Sequence, residues 1–185
     1  MKILAIYGSP RREGNTAQMM DAALNAFPSK AEIHRIYLAD MNFSACGACR
    51  ECKTAAECVV DDDMQALYNE MFWSDIILIG SPTQFSDVSA DLKKMMERTW
   101  WMKGELKNKI GGYVVTGRRY IESTINTLQA FMLRHKMILG GNGAIGYSFT
   151  EMGTLDHDPL ALNDARNTGL RLVELYELVH RTENK

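Results

Sequence analysis

The amino-acid sequence predicts one α/β domain whose parallel sheet is covered by helices on both faces. Three observations predict it. Short apolar runs that are continuous rather than alternating, such as Ile76-Ile77-Leu78-Ile79, are the pattern of strands buried on both sides. Amphipathic stretches of helical period follow these runs. The strand-helix unit recurs five times in 185 residues without an internal repeat, linker or low-complexity segment, which suits a single domain over 1–185.

The elements follow in order. Ile3 to Tyr7 is an apolar run that stops at Gly8, and Ala17, Met20, Leu24 and Phe27 then recur at helical spacing. Residues 32–38 are more polar, with β-branched Ile33 and Ile36, and read as an edge strand. A cysteine-rich loop over 42–60 comes next. Asp61 to Asp63 open a helix, where carboxylates cap free amides and suit the dipole; Met64, Leu67, Tyr68 and Met71 form its buried face. Ile76 to Ile79 is the most apolar strand and stops at Gly80. Leu92, Met95, Met96 and Thr99 share a helix face, and Gly112 to Thr116 is the fourth strand. Residues 122–135 have helical pattern, and 137–149 hold a last, glycine-containing strand. Leu162, Ala165, Leu172, Val173, Tyr176 and Val179 mark a long C-terminal helix.

Composition excludes several classes of function. With 46% hydrophobic and 24% charged residues the chain is ordinary for a soluble globular protein. The formal net charge of -2 gives no reason to expect nucleic acid or an acidic membrane as partner. No apolar run approaches the ~18 residues of a membrane span. No charged segment followed by a long apolar stretch precedes the first strand, so no secretory signal is expected. The expected location is cytoplasmic, where thiols stay reduced and metal binding outweighs disulfides.

Against that background the cysteines stand out. Cys46, Cys49, Cys52 and Cys58 are the only four in the chain, spaced C-x2-C-x2-C-x5-C. Thiols this close in a short loop pair as disulfides only with strain. They can wrap an inorganic cube, and iron–sulfur clusters are held by four cysteine thiolates. Structural zinc also accepts four thiolates, although its ligands usually come as two separated pairs. Asp61, Asp62 and Asp63 read as a helix cap rather than as further metal ligands. The twelve methionines read as core filler. His34, His135, His157 and His180 are scattered and read as structural or surface residues.

In such sheets, ligands bind at the carboxyl ends of the strands near a topological switch point. The loop after strand one reads Gly8-Ser9-Pro10-Arg11-Arg12-Glu13-Gly14-Asn15-Thr16 and opens a helix. Free amides at a helix start attract anions, and the hydroxyls of Ser9 and Thr16 add donors. The spacing is neither that of a Walker loop nor G-x-G-x-x-G, so a single phosphate group is expected. The bland alternative is a tight turn with two solvated arginines. The loop after strand three, Ser81-Pro82-Thr83-Gln84-Phe85-Ser86-Asp87-Val88-Ser89, could lay amides along a flat heteroaromatic ring; alternatively it only caps the next helix.

Gly8-Ser9-Pro10-Arg11 with Gly14-Asn15-Thr16, followed by Ser81-Pro82-Thr83 with Asp87-Val88-Ser89, resembles the flavodoxin-like NAD(P)H-dependent FMN reductases. With the cysteine run added, the chain resembles the iron–sulfur flavoprotein family over nearly its whole length. The resemblance implies a doubly wound, five-stranded parallel sheet in the order 2-1-3-4-5, with the cysteine loop inserted after strand 2. It implies FMN at the strand ends and a [4Fe–4S] cluster on Cys46, Cys49, Cys52 and Cys58. Ser9, Arg11, Asn15 and Thr16 would hold the FMN phosphate. Pro82, Thr83, Gln84, Phe85 and Ser86 would line the flavin, with Val88 nearby, and Thr116, Gly117 and Arg118 would approach its other side or its charge. Where family members often carry a glycine-rich stretch after strand four, this chain has Gly117-Arg118-Arg119-Tyr120.

The function so implied is electron transfer from a low-potential donor, such as a ferredoxin, through the cluster to FMN. Dioxygen, peroxide or a quinone would be the acceptor. The family is oligomeric, so a homodimer or homotetramer is expected, with Trp100 and Trp101 suited to an interface. Two other readings stand beside this one. The first is a reductase that takes hydride from NAD(P)H and has no working cluster. The second is a non-enzymatic redox sensor or electron shuttle.

Overall fold

The computed structural model describes residues 1–102, 104–148, 154–155 and 157–181. Its strands are β1 (Lys2–Tyr7), β2 (Glu32–Tyr37), β3 (Ile76–Pro82), β4 (Ile110–Gly117), β5 (Ile138–Leu139) and β6 (Ala144–Tyr147). All pair in parallel in the order β2-β1-β3-β4-β5, and β6 also pairs with β4. The expected flavodoxin-like order is therefore present, with polar β2 on the edge. The last strand expected at 137–149 is two short segments along one flank of β4. Between them lie Gly140 to Gly143, and the positive φ of Gly141 (111°) and Gly143 (65°) takes the backbone out of the extended region. Residue 149 lies outside the described residues.

The helices are α1 (Asn15–Leu24), α2 (Cys52–Ala55), α3 (Met64–Trp73), α4 (Ala90–Arg98), α5 (Glu122–Arg134) and α6 (Ala161–His180). Alternate strand residues feed two separate cores. Ile3, Ala5, Tyr7, Leu78 and Val114 pack on α1 and α6. Leu4, Ile6, Ile77, Ile79 and Val115 pack on α3, α4 and α5. Each fully buried Leu or Ile contributes about 1.5–3 kcal/mol. Helices α1 and α6 approach so closely that a Cβ on Gly169 would lie 2.1 Å from the Ala23 carbonyl oxygen. Phe27, expected on the first helix, falls beyond α1 yet is buried. Trp100 and Trp101 belong to a 3₁₀ turn (Thr99–Trp101) that continues α4. No helix among the described residues is long and apolar enough to cross a membrane.

Strand register aligns the loops that matter. Tyr7 pairs with Gly80, and Pro82 pairs with Thr116. The Gly8 amide donates to the Gly80 carbonyl (2.8 Å) and the Thr83 amide to the Thr116 carbonyl (2.6 Å). The chain thus leaves β1, β3 and β4 at one edge of the sheet.

Candidate functional site

That edge carries a cleft of about 240 Å³ lined by Ser9, Arg11, Gly14, Asn15, Thr16, Pro82, Thr83, Thr116, Gly117, Arg118 and Ser148. Nine of these were expected from sequence as binding residues; Gly14 was named only as part of the loop motif. Ser148 was missed, and it is held by its amide donating to the Gly117 carbonyl (3.0 Å). The loop presents hydroxyl and amide groups to this cleft. Ser9 is buried and its Oγ accepts from the Arg11 amide (3.3 Å), which leaves the hydroxyl proton free to donate. Thr16 Oγ1 and Thr116 Oγ1 lie 2.7 Å apart in a buried pair that ties the start of α1 to the end of β4. Asn15 Oδ1 is buried without a partner, and rotation of the amide brings its NH2 group to the same place. A buried polar group left unpaired by the protein calls for a ligand or water.

The two arginines of the loop divide. Arg11 lines the cleft. Arg12 turns toward β2, where it pairs with Asp40 (2.5 Å) and lies over the Tyr37 ring (4.0 Å to the centroid). Its guanidinium pKa is raised by the hydrogen bond to Asp40.

A second opening of about 360 Å³ adjoins the first and shares Thr83 and Arg118 with it. Phe85, Ser86, Arg119 and Tyr120 complete it. Gln84 and Asp87 exchange backbone hydrogen bonds, closing the tip of the loop, and Phe85 (φ 49°) and Ser86 (φ 62°) take left-handed conformations there. Non-glycine residues in that region are strained and cluster at ligand sites. Phe85 is fully exposed. Two expected ring residues are placed otherwise. Gln84 is exposed and lines neither opening. Val88 is buried in the core beneath the loop, where it packs with the α4 side of the sheet, because a valine between Asp87 and the Ser89 cap follows the chain inward.

The cysteines form a separate site. Cys46, Cys49, Cys52 and Cys58 are free thiols, and all four line one cleft of about 330 Å³ with Arg50, Arg98, Trp100 and Trp101 among its walls. Among the described residues no three His, Cys, Asp or Glu side chains converge on one point as a single ion would need. Residues 41–50 have no regular structure, and Ala48, Arg50 and Ala56 have positive φ. What holds this segment is a clasp. Arg98, with a side chain 1% exposed, sets its two terminal nitrogens on Asp62 at 2.6 and 3.0 Å and on the carbonyls of Ser44 (3.1 Å) and Val60 (3.4 Å). Asp62 also accepts from the Ser44 and Met64 amides. Gln65 donates to the Cys58 and Val60 carbonyls, and Asp63 accepts from the Asn42 amide (2.5 Å).

Asp62 therefore does cap α3, through the Met64 amide, as expected; Asp63 stands at the N-cap position but spends its carboxylate on the Asn42 amide, and both close the cysteine loop. Burial works to raise the Asp62 pKa, but its hydrogen bonds to Arg98 and the two amides leave it lowered. Burial works to lower the Arg98 pKa, and the bond to Asp62 leaves it raised. Sequence reasoning missed Arg98. The available signal was its place three residues after Met95 on the stripe Leu92–Met95, where a charge on a buried face needs a partner.

None of the four histidines lines the four-thiol cleft. His34 bonds Glu70 (2.6 Å) and stacks on Trp73, His135 is buried beside Thr99 (3.1 Å), and His180 bonds the Tyr176 carbonyl.

Residues 1–150 match the family model for NADPH-dependent FMN reductases. An iron–sulfur flavoprotein of Methanocaldococcus jannaschii is 35% identical, the match covering 98% of this chain and all of that one. An iron–sulfur flavoprotein of Methanosarcina thermophila is 28% identical over the full length of both. Among solved structures, RosB with a bound formylated riboflavin phosphate intermediate superimposes with a TM-score of 0.81 at 15% identity, covering 98% of this chain and 81% of that one. An NAD(P)H:quinone oxidoreductase from Methanothermobacter marburgensis gives 0.71 at 16% identity, covering 93% and 96%. At these identities the two structural likenesses are likenesses of fold.

Proposed function

The chain belongs to the NADPH-dependent FMN reductase family and, within it, to the iron–sulfur flavoproteins, and on that premise we propose that it joins an FMN site at the strand ends to a [4Fe–4S] site in the cysteine loop. It is a flavin-dependent oxidoreductase. The observation that carries the proposal is that all four thiols, and no other sulfur of cysteine, line one cleft. Thiolates are the donor set that iron–sulfur clusters take.

Ser9, Arg11, Asn15 and Thr16 bind the FMN phosphate, Ser9 and Thr16 through hydroxyl protons and Asn15 through the one end of its amide that the protein leaves unpaired. Thr83, Phe85, Ser86, Thr116, Gly117 and Arg118 border the ring. Cys46, Cys49, Cys52 and Cys58 hold the iron, and the Arg98 clasp keeps their loop in place. When bound, FMN exchanges electrons in pairs or singly and the cluster exchanges them singly, so that together they connect a one-electron donor to a varied set of acceptors. A ferredoxin-like protein fits the donor, and dioxygen, peroxide or a quinone fits the acceptor. The chain's own residues supply binding, orientation and charge, and the reading requires no nucleophile or general base.

Anaerobic purification followed by an absorbance spectrum and assays for iron, sulfide, zinc and FMN tests this. About four irons and four sulfides per FMN is the expected result. FMN with zinc and without iron would instead assign the chain to reductases that take hydride from NAD(P)H.

A further inference from the structure

Arg98 has one more property than its role as a clasp requires. Its terminal nitrogens are committed to Asp62 and to the carbonyls of Ser44 and Val60, yet its Nε is buried with no acceptor. Arg98 is itself a wall of the four-thiol cleft, whereas Asp62 is not. Of the two partners of the ion pair, the cationic residue is thus the one that borders the cleft holding the sulfurs. Cys58 lies within electrostatic reach of both Arg98 and Tyr68, and the Tyr68 hydroxyl donates to the Arg98 carbonyl (2.9 Å), fixing the end of α4 there.

We infer that Arg98 is the residue that sets the reduction potential of the cysteine-bound centre, with Asp62 as its counterweight. The inference rests on the cluster reading above. Reduction by one electron adds one negative charge to the centre and makes or breaks no bond. A buried cation at the wall stabilises the reduced form, and hydrogen bonds and charge around the sulfurs are the protein's means of tuning such potentials. The anion of the pair opposes this from farther away, and low local polarity strengthens both effects.

The two partners must then act with opposite sign. Potentiometric titration with dithionite and mediators, followed by the electron paramagnetic resonance of the reduced centre, reads the midpoint directly. R98Q removes the cation and leaves Asp62 uncompensated, so its midpoint falls below that of the wild type. D62N leaves the cation uncompensated, so its midpoint rises. R98K keeps the charge without the fork and falls less than R98Q. A purely structural clasp would give loss of iron, or shifts of one sign, in both R98Q and D62N. That pattern, or unchanged midpoints with iron and sulfide intact, overturns the inference while leaving the cluster reading in place. If R98Q does not retain iron, D62N decides alone: a rise supports the inference, and no change or a fall overturns it. A wild-type protein without iron and sulfide sinks both the inference and the reading beneath it.

Discussion

Replacing Thr16 with valine probes the phosphate loop at the atom where structure and binding meet. Thr16 and Thr116 are 3% and 5% exposed and share a 2.7 Å hydrogen bond. A hydroxyl carries one proton and two lone pairs, so when Thr116 donates to Thr16 the Thr16 proton remains available to an anion in the cleft. Valine keeps the shape and removes both capacities. Leaving the Thr116 hydroxyl unpaired in a buried place costs about 1–3 kcal/mol of folding stability. Losing one hydrogen bond to a charged phosphate costs about 1.5–3 kcal/mol of binding. That is about 10- to 150-fold in Kd, at 1.4 kcal/mol per tenfold. Thr116→Val has the same stability cost but removes no phosphate donor. Urea unfolding of the flavin-free variants measures the first effect, and fluorescence titration with FMN measures the second. The two variants should lose similar stability, and Thr16→Val should lose tenfold or more in FMN affinity, clearly more than Thr116→Val, because Thr116 borders the ring rather than the phosphate. Equal loss of affinity in both, or none in Thr16→Val, refutes the assignment of Thr16 to the phosphate.

Three other outcomes are expected. Cys49→Ser should lose iron and sulfide yet keep FMN, because the thiols and the phosphate loop line different clefts; joint loss of both in metal and flavin assays would show one interdependent site. Gly169→Ala should destabilise the protein by about 1–3 kcal/mol in urea or heat unfolding, since the new Cβ would meet the Ala23 carbonyl and Ala26; a neutral or stabilised variant would mean that α1 and α6 slide apart freely. The His34 pKa is raised by its hydrogen bond to Glu70. Its stabilisation is full below about pH 6.5 and fades as pH rises through the folded value. His34→Gln should thus be less stable than the wild type at about pH 5.5, with a gap that narrows by about pH 9. With the His34 side chain 39% exposed the gap is small, and one that widened with pH would contradict the assignment.

The parts of the fold legible in the sequence are those written in local pattern. Ile76 to Ile79 announces a buried strand, and Leu92 with Met95 announces a helix face. Cysteine spacing and the Gly8–Thr16 loop point to the two clefts before any contact is known. The last strand was half legible: its apolar residues show, but the break at Gly140 to Gly143 is decided by backbone angles that glycine permits and composition does not reveal. Val88 was expected near the ring only through the family resemblance, and the packing of the α4 side of the sheet places it in the core beneath the loop. Arg98 was not legible because its partners are distant in the chain. Ser44 lies 54 positions away and Asp62 lies 36, so only the folded arrangement brings the charges together. A basic residue near a helix end also has an ordinary explanation in the helix dipole, and that hid the burial.

The clasp around residues 42–60 is made from side chains and backbone. It joins Ser44, Val60 and Asp62 to the end of α4, and these contacts form with the same packing that seats α3 and α4 on the sheet. On the proposed cluster reading, both ends of the loop are anchored by groups other than the thiols, Ser44 on one side and Val60 with Asp62 on the other, so loss of iron would free the sulfurs without releasing the segment from the sheet.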